Sequence, residues 1–152
     1  MRKTVAFVAL IVAGCTQAPT SGVAPEPSPP AGLQRAFFDT YPAGLFELAA
    51  DVCDGPARTL SRPRRNQVFC AALPDPNAAA ALILGYDGTV QDLPTFVTAF
   101  SGESTAQGYL VTADLYIRVP QRQGGAVLLR LPDPEVQAEV ARVLRAAGGR
   151  LL

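Results

Sequence analysis

The side chains able to do chemistry fall into four groups. Thr112, Asp114, Tyr116 and Arg118 occupy alternate positions of one stretch, and Arg130 follows shortly after. Alternate residues of a β-strand lie on one face about 7 Å apart. A strand here lines up a hydroxyl, a carboxylate, a phenol and a guanidinium as a binding floor, which with Arg130 can recognise a carboxylate or a peptide. The solvated side of a one-layer sheet carries the same pattern. Arg58, Arg62, Arg64 and Arg65 form a cationic group suited to phosphates or an acidic partner. Asp87, within Gly85-Tyr86-Asp87-Gly88-Thr89, and Asp92 pair carboxylates on a loop, as for Ca²⁺ or acid–base work. Their spacing is not that of a calcium-binding loop, however, and Asp-Gly is first a turn dipeptide. Ser101 and Ser104 are possible nucleophiles.

Composition narrows these choices. The chain has no histidine, so it lacks the commonest general base and transition-metal ligand. Histidine-dependent serine or cysteine catalysis and histidine zinc sites are thereby excluded. Lys3 is the one lysine, and it is expected to leave with a signal peptide, so none remains to serve Ser101 or Ser104 as base. The expectation is a non-enzyme with no catalytic residue, no cofactor and no metal. There is no tryptophan on which a sugar could stack. Charge is balanced, with 13 Lys+Arg against 13 Asp+Glu, unlike the basic excess of a nucleic-acid binder.

The elements that must position these residues come from local signals. Leu45, Leu48, Ala49 and Val52 follow helical spacing. Pro42 stands near the start of that helix, Asp39 or Thr40 is a candidate cap, and Asp54-Gly55-Pro56 is a stop. Arg35 to Phe38 reads as an earlier turn. Arg58–Ser61 and Gln67–Leu73 read as short strands around a polar turn, Arg62 to Asn66. Asp75-Pro76 and Asp133-Pro134 open two further helices, since Asp caps and Pro suits the first helical position. The last helix places Val136, Val140, Val143 and Leu144 on one face, with Gly148-Gly149 ending it. Between them lies a meander: Phe96–Ser101, then Tyr109–Val119 with strict alternation, then Ala126–Leu131. The expected fold is α+β, an antiparallel sheet of about four to five strands with helices mainly on one face, in the order α-β-β-α-β-β-β-α.

The first residues carry an address. Arg2 and Lys3 precede an apolar run, Thr4 to Val12, too short for the roughly 20 residues of a membrane span. Val12-Ala13-Gly14-Cys15 resembles the lipobox of the bacterial lipoprotein family, with Val where Leu is commonest. The resemblance implies cleavage after residue 14, lipidation of Cys15 and further acylation of its amine. Two or three acyl chains hold a small domain stably at a membrane. Thr16, in place of Asp, implies sorting to the outer membrane in a Gram-negative cell. With Arg2 and Lys3 removed, Lys+Arg falls from 13 to 11 against 13 acids, a net charge of −2.

The expected organisation is a signal peptide over 1–14, lipidated Cys15 and a Pro-rich tether over 15–32, and one domain over 33–152. In an oxidising compartment Cys53 and Cys70 are expected to form a disulfide. The resulting reading is an envelope lipoprotein with a non-catalytic accessory domain and an envelope protein as partner. The alternative is a periplasmic small-ligand or lipid binder, using the same polar face or a pocket under the helices.

Overall fold

A computed structural model describes residues 32–130 and 133–152. The leader, Cys15, the tether up to residue 31, and Leu131 at the end of the last expected meander strand lie outside the described residues. The elements run β1 (Leu33–Phe38), α1 (Ala43–Asp51), β2 (Arg58–Arg64), β3 (Gln67–Ala72), α2 (Pro76–Gly85), β4 (Thr95–Thr105), β5 (Gly108–Pro120), β6 (Ala126–Leu129), α3 (Pro134–Ala146) and β7 (Arg150–Leu151).

The sheet has seven strands in the order β2-β3-β4-β5-β1-β7, and β6 also pairs with β5. Every pairing is antiparallel. β5 is the spine. One edge meets β4 along its length, while the other meets β1 up to Asp114 and β6 from Ile117 onwards.

The mixed α and antiparallel architecture agrees with expectation, but the strand count and order do not. β1 and β7 were not anticipated, and the observed order is β-α-β-β-α-β-β-β-α-β. β1 hides its period because its buried residues, Ala36 and Phe38, alternate with the apolar Leu33 and Phe37. β7 is two residues long and carries no period at all. Both are fixed by partners distant in sequence: Phe38 sits opposite Tyr109, and Leu151 opposite Ala36. β4 also runs on to Thr105, past its expected end at Ser101, and forms a tight hairpin with β5.

The inner face of the sheet meets α1 and α3. Val68, Phe100, Val111 and Ala113 of the strands form one core with Leu45 and Phe46 of α1 and Val140 and Leu144 of α3. α3 starts as anticipated: Asp133 accepts hydrogen bonds from the N–H groups of Glu135 and Val136, and Pro134 follows. Asp75 caps α2 in the same way through Asn77 and Ala78. α1 differs. Pro42 precedes it with no side-chain cap, so neither Asp39 nor Thr40 serves. Asp39 accepts instead from Arg150 at 3.0 Å. The disulfide Cys53–Cys70 is present, with Cα atoms 5.5 Å apart, and ties the end of α1 to β3.

Two glycines are required by close approach. A Cβ on Gly108, which sits at φ +151°, would lie 2.5 Å from the Phe38 carbonyl oxygen. One on Gly149 would lie 2.7 Å from the Phe38 ring and 2.9 Å from Ala36 Cβ.

Candidate functional site

The expected polar floor lies on the outer face of β5 and is in part assembled. Asp114, Tyr116 and Arg130 converge. Arg130 Nε and Nη2 donate to the two Asp114 carboxylate oxygens at 2.9 and 2.7 Å, a bidentate fork. The same guanidinium stands 5.7 Å from the centre of the Tyr116 ring. Burial pushes the Tyr116 phenol above its ordinary pKa, and the neighbouring Asp114 carboxylate adds to the rise. The hydrogen bond to Asp114 likewise raises the Arg130 pKa and keeps it charged.

Arg118 and Thr112 do not join this group. Arg118 donates to Asp92 at 3.1 Å, and Thr112 sits in register between Arg35 of β1 and Ser101 of β4. Nor is the face a plain solvated side of the sheet. Val97 and Ala99 are buried there, with Tyr116 and Asp114 on one flank and Ala71 and Phe69 on the other. Asp114 and Arg130 already answer one another, so the constellation acts as a clasp holding the end of β6 against the sheet.

The other candidates are dispersed. Arg62 pairs with Glu47 of α1 through bonds of 3.0 and 3.1 Å, which holds the exposed Glu47 carboxyl below its usual range and the Arg62 guanidinium above its own. Arg65 lies over the Tyr41 ring at 5.1 Å, and Tyr41 donates its hydroxyl to the Arg65 carbonyl. Arg58 donates to the Val52 carbonyl at the end of α1. Arg58 and Arg62 therefore fasten α1 to the β2–β3 hairpin, and Arg65, in the hairpin turn, holds Tyr41 just ahead of α1. Asp87 faces Arg122 at 3.6 Å and Asp92 faces Arg118, so the two carboxylates answer different cations. Ser101 and Ser104 fall on opposite faces of β4. Among the described residues, no group of three metal-ligating side chains gathers.

Of the candidate residues only Arg58 lines a second site. Between α1 and α3 the inner face is uncovered, leaving an apolar groove of about 510 Å³ over β3, β4 and β5. Its floor is ordered by register. Arg58, Ala72 and Phe96 form one cross-strand row, Cys70, Thr98 and Leu115 the next, and Val68 and Phe100 the third. Leu48 of α1 and Val52, which caps it, form one wall, and Val136 and Val140 of α3 the other.

Helical spacing assigned Leu48, Val52 and Val136 to buried faces. α1 instead buries Leu45, Phe46 and Ala50, and α3 buries Val140, Ala141 and Leu144. Leu48, Val52, Phe96 and Val136 remain 52, 61, 44 and 40% exposed. Isolated exposed apolar residues are ordinary, but a contiguous set lining a concavity marks a binding surface. The signal available in the sequence was that α1 is apolar around most of its circumference, more than one core can cover.

No protein-family model, curated protein or solved structure matches this chain. The site must therefore be read from its own chemistry. Among the described residues, no helix is long and apolar enough to cross a membrane.

Proposed function

We propose that this chain is a lipid-anchored protein of the bacterial cell envelope whose domain binds rather than catalyses, and that it binds through the groove between α1 and α3. The lipobox-like Val12-Ala13-Gly14-Cys15 and the Pro-rich tether support the anchoring. The observation that carries the binding role is the open apolar groove, walled by exposed Leu48, Val52 and Val136. Its volume lies within the range of small-ligand sites, which favours the ligand-binding form of the reading over a protein partner on the polar face. The outer face supports binding less, because its charges are paired internally.

The test is native mass spectrometry of the full chain gently extracted from its own membranes, comparing wild type, Leu48→Glu and Cys15→Ala. A companion bound to wild type and absent from Leu48→Glu, with membrane release of Cys15→Ala, is the expected result. Turnover of an envelope substrate by wild type, lost in Asp114→Ala, would contradict the reading.

A further inference from the structure

We infer that the groove takes a single-chain fatty acid, tail inward, with its carboxylate on Arg58; this rests on the binding role proposed for the groove. The groove is graded from end to end. Leu45, Val68 and Phe100 close its inner end and are 3, 0 and 8% exposed. At its outer end stand Val52, Phe96 and Val136, all exposed. α1 runs from Leu45 at the closed end to Val52 at the mouth, and α3 runs the other way, from Val136 to Val143. A groove whose lining grades from buried residues at one end to exposed ones at the other suits a slender chain laid with its tail toward the buried end. An amphipathic peptide helix, by contrast, needs a trough that accepts anchors along two turns. The three floor rows span about 14 Å, since alternate strand residues are about 7 Å apart. That depth takes up much of an extended acyl chain, and the lining offers it almost no polar group with which to compete.

The head is specified by the one cation of the lining. Arg58 occupies the mouth row, beside Ala72 and Phe96. One of its guanidinium nitrogens donates to the Val52 carbonyl, which fixes the side chain and leaves further donors. Glu47, Asp51 and Asp54 border the neighbouring hollow that Arg58 also lines. Among the described residues none of them lies within ion-pair distance of Arg58, and Glu47 is held by Arg62. Glu139, the acid of the lining, is paired with Arg142. A single guanidinium fork matches a planar carboxylate of one negative charge.

The experiment uses the full chain in detergent-free nanodiscs and measures palmitate binding by isothermal titration calorimetry. Cetyltrimethylammonium and lysophosphatidylcholine are the comparison ligands, and Arg58→Gln and Leu48→Glu the variants. Both altered residues are exposed, so circular dichroism should show the fold retained. The expected result is saturable one-to-one palmitate binding, weakened about tenfold or more in Arg58→Gln, as loss of a charge-assisted contact implies. Binding should be abolished in Leu48→Glu and much weaker for cetyltrimethylammonium in the wild type. Equal affinity for the cationic amphiphile, or an unchanged Arg58→Gln, overturns the carboxylate assignment. Tighter binding of lysophosphatidylcholine moves the ligand to a phospholipid and overturns the fatty-acid assignment. No palmitate binding, while Leu48→Glu still strips the native companion, overturns the ligand and leaves the groove's binding role. A Leu48→Glu protein that keeps both palmitate and companion overturns both.

Discussion

Asp114 and Arg130 are the best-defined polar contact of the outer face, and their geometry sets their role. A bidentate pair that is 20 and 32% exposed on its side chains is screened by water, which limits its worth. Asp114→Ala should therefore cost about 1 kcal/mol in urea unfolding, with ligand binding in the groove unaffected. A loss of groove binding on this change would contradict the clasp role. Tyr116 adds a pH signature. Its phenol is raised by burial, so its charged form is disfavoured in the folded chain. The stability it lends is complete below its unfolded pKa of about 10 and is lost as pH rises through the higher folded value. Alkaline unfolding midpoints should shift less in Tyr116→Phe than in wild type, and the ultraviolet titration of Tyr116→Phe should lose a late-ionising component that wild type shows.

At the scale of the element, the disulfide fixes where α1 lies beside the groove. The Cys53–Cys70 bond closes a loop with a sequence separation of 17 and fixes the end of α1 on β3. Its reduction should cost about 3 kcal/mol by the chain-entropy relation and should weaken binding in the groove, whose lining includes both cysteines. Chemical denaturation with and without reductant measures the first effect, and calorimetry on the reduced protein the second. Asp133→Ala removes two hydrogen bonds at the start of α3 and should cost about 1 kcal/mol.

These elements also show what was legible before the structure. Asp133-Pro134 and Asp75-Pro76 announce their helices locally, and the alternation over Tyr109 to Val119 announces β5. α1 exists where expected, but its buried face does not follow from its own residues. Apolar side chains surround most of it, and contact with Val68, Phe100 and Tyr109 selects Leu45 and Phe46. Leu48 and Val52 are left over by that choice, so the groove follows from packing and not from any motif. β1 and β7 are illegible for a related reason: their partners lie far away in sequence.

Seen as a whole molecule, the chain divides its labours between two faces of one sheet. The outer face closes on itself through Asp114–Arg130 and Arg118–Asp92. The inner face is covered at one end by α1 and α3 and left bare between them. The proposed lipid anchor would place such a groove within reach of the membrane and its amphiphiles. The measurement that tests this most directly is an NMR titration of the isotopically labelled full chain with palmitate, following backbone and methyl shifts. Saturable perturbations concentrated on Leu48, Val52, Phe96 and Val136 are expected, with Thr112 and Tyr116 unmoved. Perturbations confined to the outer face, or none in the groove at saturation, would contradict binding in the groove.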